Sequence, residues 1–184
     1  RGDSTMAHKD LSGGNPERGW GMMFPNFLDG GVEVINYARN GRSTKSFIDN
    51  GDWNNVKANL KKGDYVFIQF GHNDSKESDT TRYAAPWGAY SDNLRLFVRT
   101  VREAGAVPVL LTPVSRRWFK EGKLDLDCHG DYPAAIRKVS EEYGVVVLDM
   151  LKSSQDWLQG LGDEASKPYY MTIYKNDNTH TIAG

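Results

Sequence analysis

The sequence has a single cysteine, Cys128, so no disulfide can form within the chain. It has no apolar run of the length a bilayer-crossing helix needs. Neither charge is in excess: 23 basic and 24 acidic residues leave a formal net charge of −1. That balance excludes a strongly basic nucleic-acid surface and a polybasic membrane anchor. Internal repeats and low-complexity segments are also lacking, which argues against a solenoid or a disordered spacer. What is there is 184 residues, 39% of them hydrophobic. A chain of that size fits one domain and can bury roughly 70% of its unfolded surface without crosslinks. Cys128 lies between Asp127 and His129, yet no third group is placed to orient a Cys-His pair, so it reads as a loop residue.

Strand-like runs alternate with helical ones. Val32–Tyr37, Asp64–Phe70, Ala106–Thr112 and Gly144–Asp149 are the strand candidates, with Pro108 near the start of its run. The Asp64 run is almost wholly apolar, as expected for a strand covered on both faces. Trp87–Glu103 sets Tyr90, Leu94, Phe97, Val98 and Val101 on one helical stripe, and Gly105 follows as a stop. Tyr132–Tyr143 is a second helix, with Pro133 in its first turn and Gly144 at its end. Shorter helices are expected at Trp20–Leu28, Ser46–Asn50, Asn54–Leu60 and Ser153–Leu158. The alternation predicts an α/β fold, a mostly parallel sheet between two helical layers. Active sites in such sheets lie beyond the carboxyl ends of the strands. Asn40-Gly41 and Gly71-His72-Asn73-Asp74 both follow strand ends.

Those two blocks join two more, Gly2-Asp3-Ser4 and Asp177-Asn178-Thr179-His180. A serine hydroxyl is a weak nucleophile unless a base takes its proton, and the base needs a partner that fixes its tautomer. Of four histidines, His180 has a carboxylate three positions earlier, where Asp177 can fold back to one ring nitrogen and leave the other for Ser4. Acyl transfer also needs donors aimed at the developing oxyanion. Gly41 N–H, the Asn73 amide and Ser4 N–H are the candidates. Each block alone is weak, since Gly-Asp-Ser is a common turn and Asn73 or Asp74 could cap a helix. The four together, in this order, carry the reading. His72 is expected to shape the loop beside the site, and His8 and His129 to be exposed. Asn73-Asp74-Ser75 matches a glycosylation acceptor, a match that a buried Asn73 would make spurious. No paired histidine or cysteine spacing supports a metal at His72, Asp74 and Asp79.

The blocks resemble those of the SGNH (GDSL-type) hydrolases, with Ser4, Gly41, Asn73 and His180 at the four named positions. The resemblance is closest to the rhamnogalacturonan acetylesterase-like branch. It includes Gly2-Asp3-Ser4-Thr5-Met6, Gly19-Trp20-Gly21, Asn36-Tyr37-Ala38, Gly41-Arg42-Ser43-Thr44, Gln69-Phe70-Gly71-His72-Asn73-Asp74 and Asn178-Thr179-His180-Thr181. It implies a three-layer α/β/α sandwich of flavodoxin-like type around a five-stranded parallel sheet, formed by residues 1–184 as one domain. It implies Ser4 as nucleophile, His180 as base, Asp177 as its partner, and Ser4, Gly41 and Asn73 as the oxyanion hole. It implies no metal and no organic cofactor. The implied activity is removal of acetyl groups from a plant cell-wall polysaccharide, with rhamnogalacturonan or pectin favoured. A lipase or thioesterase acting on other short-chain esters, or a carbohydrate-binding relative without turnover, are the alternatives. The expected partner is an acetylated oligo- or polysaccharide, not nucleic acid or membrane; that substrate favours an extracellular or periplasmic setting, while the single cysteine is equally compatible with the cytoplasm. Family members carry a strand before the serine block and a helix after the histidine block, so a native protein longer than this sequence is expected. His72, Arg116 and Trp118 are the candidates for substrate contact. Arg116 and Trp118, with Arg117, follow the end of the third strand.

Overall fold

The computed structural model describes residues 1–183. Among them the strands are β1 (Glu17–Arg18), β2 (Tyr65–Gln69), β3 (Val107–Leu111), β4 (Phe119–Lys120), β5 (Lys123–Leu124), β6 (Val146–Leu148) and β7 (Thr181–Ile182). The α-helices are α1 (Trp20–Met23), α2 (Thr44–Asp49), α3 (Asp52–Asn59), α4 (Ser91–Glu103), α5 (Tyr132–Tyr143), α6 (Met150–Leu161), α7 (Asp163–Ser166) and α8 (Thr172–Lys175). The central sheet runs β2-β3-β6, all parallel, with Val66 opposite Pro108 and Leu110 opposite Val147. On the free side of β2, Gly2 forms a parallel bridge to Gln69, whose N–H donates to the Arg1 carbonyl at 2.9 Å. The serine block thus runs alongside β2, at the side of the described sheet opposite β6.

Side chains alternate across a strand, so β2 serves two cores. Val66, Ile68 and Phe70 face a large cluster with Phe47 of α2, Trp53 and Val56 of α3, Leu94, Phe97, Val98 and Val101 of α4, and Ile136 and Val139 of α5. Phe67 faces the other way, onto Met6, Ala7 and Ala38. Helix α6 buries Leu158 in a third cluster with Leu124 and Tyr170. Helices therefore cover both sides of a parallel sheet, the three-layer α/β/α arrangement. At the β6 edge Val146 and Leu148 are exposed, so that side is less covered than the apolar run suggests.

Helices α4 and α5 follow their apolar stripes. Gly144 ends α5 in the left-handed conformation (φ 59°), a position where a Cβ is strained. The Trp87–Glu103 pattern begins later than expected. Pro86–Tyr90 forms a π-type turn broken at Gly88 (φ −115°, ψ −116°), and regular helix starts at Ser91. Trp20–Leu28 splits into α1 and a 3-10 turn at Phe24–Phe27, because Pro25 supplies no N–H. Helix α6 is twice as long as the Ser153–Leu158 pattern, starting at an Asp149 cap. Val32–Tyr37 is not a strand. Val32 and Ile35 are exposed, and among the described residues the one backbone bond tying the neighbourhood to the sheet side is Arg39 N–H to the Gly2 carbonyl at 3.0 Å. A strand needs a ladder, and the segment finds no run of partners there among the described residues. The described sheet accordingly has three regular strands and one bridge in place of the five implied.

Candidate active site

Four chain segments converge at the carboxyl edge of β2. Ser4 follows Gly2, which lies against β2, and the chain then turns sharply: the Met6 and Ala7 N–H groups both donate to the Asp3 carbonyl, at 3.2 and 3.1 Å. The turn is held from below by a buried polar relay. Trp20 Nε1 donates to Gln69 Oε1 (2.9 Å), and Gln69 Nε2 donates to Thr5 Oγ1 (2.6 Å). Thr5 Oγ1 donates in turn to Asp3 Oδ1 (2.8 Å), and His72 Nδ1 bonds Asp3 Oδ2 (3.0 Å). Burial alone would raise the Asp3 carboxyl. The charge and hydrogen bond of His72, with the two Thr5 bonds, outweigh it and hold the group at about 2. Asp3 is thus an anion built into the floor, not a reactant.

Ser4 itself is half-buried, and its Oγ lies 2.7 Å from His180 Nε2. His180 Nδ1 lies 2.7 Å from Asp177 Oδ2. Asp177 Oδ1 accepts the backbone N–H groups of Thr179 (2.8 Å) and His180 (3.1 Å). Burial pushes the Asp177 carboxyl up, but these bonds pull it net below the ordinary value, so it is ionised when the imidazole needs orienting. The Asp177–His180 loop is fastened from outside. Arg117 N–H donates to the Asn178 carbonyl at 2.7 Å, and its guanidinium reaches Asn178 Oδ1 and Asp163. Met171 N–H donates to the His180 carbonyl at 2.9 Å. Just beyond, β7 pairs antiparallel with β1, and Glu17 of β1 binds Lys9 (2.9 Å) and Lys175 (2.7 Å).

The three candidate oxyanion donors are the Ser4 N–H, the Gly41 N–H and the Asn73 amide. Gly41 sits in a turn with φ 74°, which favours glycine, and among the described residues neither its N–H nor that of Ser4 meets a protein acceptor. Asn73 is buried, and its Nδ2 donates one hydrogen to the Arg42 carbonyl (2.9 Å). Its Oδ1 accepts from Arg82 (3.3 Å). The amide is therefore oriented with nitrogen, not oxygen, toward the Gly41 turn, and one hydrogen remains for a ligand. Burial of Asn73 also removes it as a glycosylation acceptor.

Several expectations need correction. His72 is 2% exposed and bonded to Asp3, so it cannot touch substrate. His129 is buried, not exposed. Its Nε2 bonds the Val114 carbonyl (2.8 Å) and its ring meets that of His72 edge-on. Burial, then the His72 charge, push its imidazole down to about 3, so it stays neutral. Cys128 is half-buried beside Ser115, and burial raises its thiol, away from the thiolate a nucleophile needs. Arg116 lies against the Asp177–His180 loop and the turn after β2, with Trp118 beside it. Arg116 bonds Thr179 Oγ1 (2.6 Å) and the His72 carbonyl (3.2 Å), and its guanidinium lies 5.0 Å from the ring centre of a half-exposed Trp118. Arg82 was not singled out from the sequence, Thr5, Gln69 and Trp20 stood in the matched blocks without a role, and Arg117 was expected near substrate but fastens the Asp177–His180 loop.

A parallel three-layer sheet with this serine, histidine and aspartate at its carboxyl edge has the make-up of a serine carboxylic-ester hydrolase. The sequence profile of the GDSL-like Lipase/Acylhydrolase family matches residues 2–179, and the chain belongs to that family. It is 36% identical over 175 residues to rhamnogalacturonan acetylesterase RhgT of Bacillus subtilis, covering 90% of this chain and 74% of that protein. It is 32% identical over 180 residues to Probable rhamnogalacturonan acetylesterase YesY of the same organism, covering 97% of this chain and 82% of that one. The crystal structure of protein YxiM from B. subtilis superposes with a TM-score of 0.85 at 26% identity. The match covers 98% of this chain and 50% of YxiM, so this chain spans half the length of that structure.

Proposed function

We propose that the protein removes acetyl groups from an acetylated pectic polysaccharide of the rhamnogalacturonan type, through an acyl-serine intermediate. The observation that carries the reading is the unbroken line from Ser4 Oγ to His180 to Asp177, with both gaps at 2.7 Å. The substrate class is supported by the names of the two B. subtilis relatives.

In this mechanism Ser4 Oγ attacks the acetyl carbonyl carbon as its proton passes to His180 Nε2. The carbonyl π electrons move onto oxygen, and that oxyanion is met by the N–H groups of Ser4 and Gly41 and the free amide hydrogen of Asn73. Asp177 stabilises the imidazolium without taking its proton. The tetrahedral carbon then expels the sugar oxygen, which leaves as a hydroxyl with the proton from His180. Water attacks the acetyl-serine with His180 again as base. Collapse releases acetate and returns the proton to Ser4. Three donors fixed before substrate arrives stabilise the oxyanion without reorganisation, a contribution worth about 2.7–4 kcal/mol per donor in comparable sites.

Replacing Ser4 with alanine is expected to abolish p-nitrophenyl acetate hydrolysis and acetate release from acetylated pectin, with an unchanged circular dichroism spectrum. Undiminished turnover by that variant would end the assignment. Comparing acetyl with octanoyl esters separates it from lipase activity.

A further inference from the structure

Arg116 is a cation without a counter-ion. Its guanidinium has five N–H donors. It contacts only the Thr179 hydroxyl, the His72 carbonyl and the Trp118 ring, and no carboxylate pairs with it among the described residues. The nearby acids are committed elsewhere, Asp177 to His180 and Asp3 to His72 and Thr5. Its two hydrogen-bond partners adjoin His180 and Asn73, so the charge sits on the rim of the Ser4 cleft.

Lys76 lies on the turn just after Asn73 and Asp74, where its N–H donates to the Asn73 carbonyl at 3.2 Å. Its side chain is exposed, and its ammonium makes no hydrogen bond or ion pair among the described residues. Arg116 donates to the His72 carbonyl and Lys76 N–H to the Asn73 carbonyl, so both cations belong to the turn after β2. Burial, then Arg82 and Arg116, against Asp79 and Asp3, hold the Lys76 ammonium below its ordinary value. Arg82 is neutralised by Asp79 at 2.5 Å. Arg116 and Lys76 are not. In a chain whose formal net charge is −1, this concentration is local.

We propose that Arg116 and Lys76 form a carboxylate-binding subsite beside Ser4 that recognises a uronate of the acetylated oligosaccharide, with the open part of the Trp118 ring as platform for its pyranose. The proposal rests on the acetylesterase reading above and assigns that site its charge preference. A guanidinium binds a carboxylate through two parallel hydrogen bonds, and a nearby ammonium adds a point charge. A neutral acetylated sugar would leave both cations as they are. A uronate neutralises them and fixes the position of the chain relative to Ser4.

Binding without turnover tests this. Trigalacturonate and its fully methyl-esterified form, neither carrying acetyl groups, are titrated into the wild-type protein by calorimetry. The free acid is expected to bind about tenfold more tightly, the size of one charge-assisted contact at a partly exposed site, with the preference shrinking in 0.5 M salt. Lys76→Ala and Arg116→Gln are each expected to reduce the preference. Equal affinity for acid and ester would overturn the subsite, as would a preference unchanged in Lys76→Ala. Because Lys76 is exposed, that variant keeps the test decisive even if Arg116→Gln disturbs the Thr179 contact. Loss of p-nitrophenyl acetate hydrolysis in the wild type would count against the esterase reading alone, since the titration does not depend on catalysis.

Discussion

At the scale of the residue, Asn73 shows how the proposed oxyanion donor is aimed. An amide can turn over, and the two ends of Asn73 are held by opposite needs: Nδ2 by the Arg42 carbonyl and Oδ1 by Arg82. Removing the arginine leaves the oxygen end free. Arg82→Ala is expected to lower kcat for p-nitrophenyl acetate by about tenfold, a fraction of what deleting an oxyanion donor costs, with KM within about twofold. Arg82→Lys should recover part of the loss, and steady-state kinetics read both. An equal rise in KM with kcat intact would assign Arg82 to ground-state binding instead. Arg82 shows no such role in the sequence, where it is one arginine among many. The His180 contact with Ser4 and Asp177 was legible because its chemistry narrows the choice to few residue types.

At the scale of the element, the start of α2 and the turn after β2 are one unit. Ser43 and Ser46 exchange hydrogen bonds in a capping box, and Asp74 Oδ1 accepts both the Thr44 N–H (2.8 Å) and its hydroxyl (2.5 Å). Asp74 is completely enclosed, and its second oxygen has no partner among the described residues. Burial, opposed by the Thr44 bonds and reinforced by Asp3, raises its carboxyl to about 7. Between its ordinary value of 3.8 and about 7, the folded chain therefore holds a proton that the unfolded chain has released. This contribution to stability is full below about pH 3.8 and lost as pH rises through about 7. Asp74→Asn keeps an acceptor for Thr44 and has nothing to titrate. Its urea midpoint should fall less than that of the wild type between pH 4 and 7, and an identical pH profile would contradict the assignment. The sequence exposes α4 and α5 because long stripes repeat their signal. It hides α7, α8 and the β1–β7 pair, which are two to four residues long and owe their shape to Glu17, Lys175 and Arg117.

At the scale of the whole molecule, stability and chemistry reside in different places. The sheet and helices α2 to α5 share the large core. Ser4 and His180, 176 positions apart in sequence, lie on short arms joined by side-chain bonds and the two-residue β1–β7 ladder. Arms with few buried apolar contacts open at lower free energy than cores. Esterase activity is therefore expected to disappear at a lower urea concentration than the far-ultraviolet helix signal, with coincident transitions as the contrary result. The layering and the meeting of Ser4, His180 and Asp177 were readable because local pattern and chemistry agree. The burial of His129 and the absence of a Val32–Tyr37 strand were not, since both depend on distant partners: the Val114 carbonyl in one case, a missing ladder in the other. The turn that carries Ser4 has a further consequence. A Cβ on Gly2 would fall 2.4 Å from the Gln69 carbonyl oxygen, one on Gly19 would fall 2.0 Å from that of Ala7, and one on Gly21 would fall 2.6 Å from that of Met6. Three positions around the nucleophile are thus closed to every other residue by lack of room. Invariance near Ser4 in any set of descendants would then have two separate origins, reactivity and volume, and selection could not relax the second even in a lineage that had given up the first.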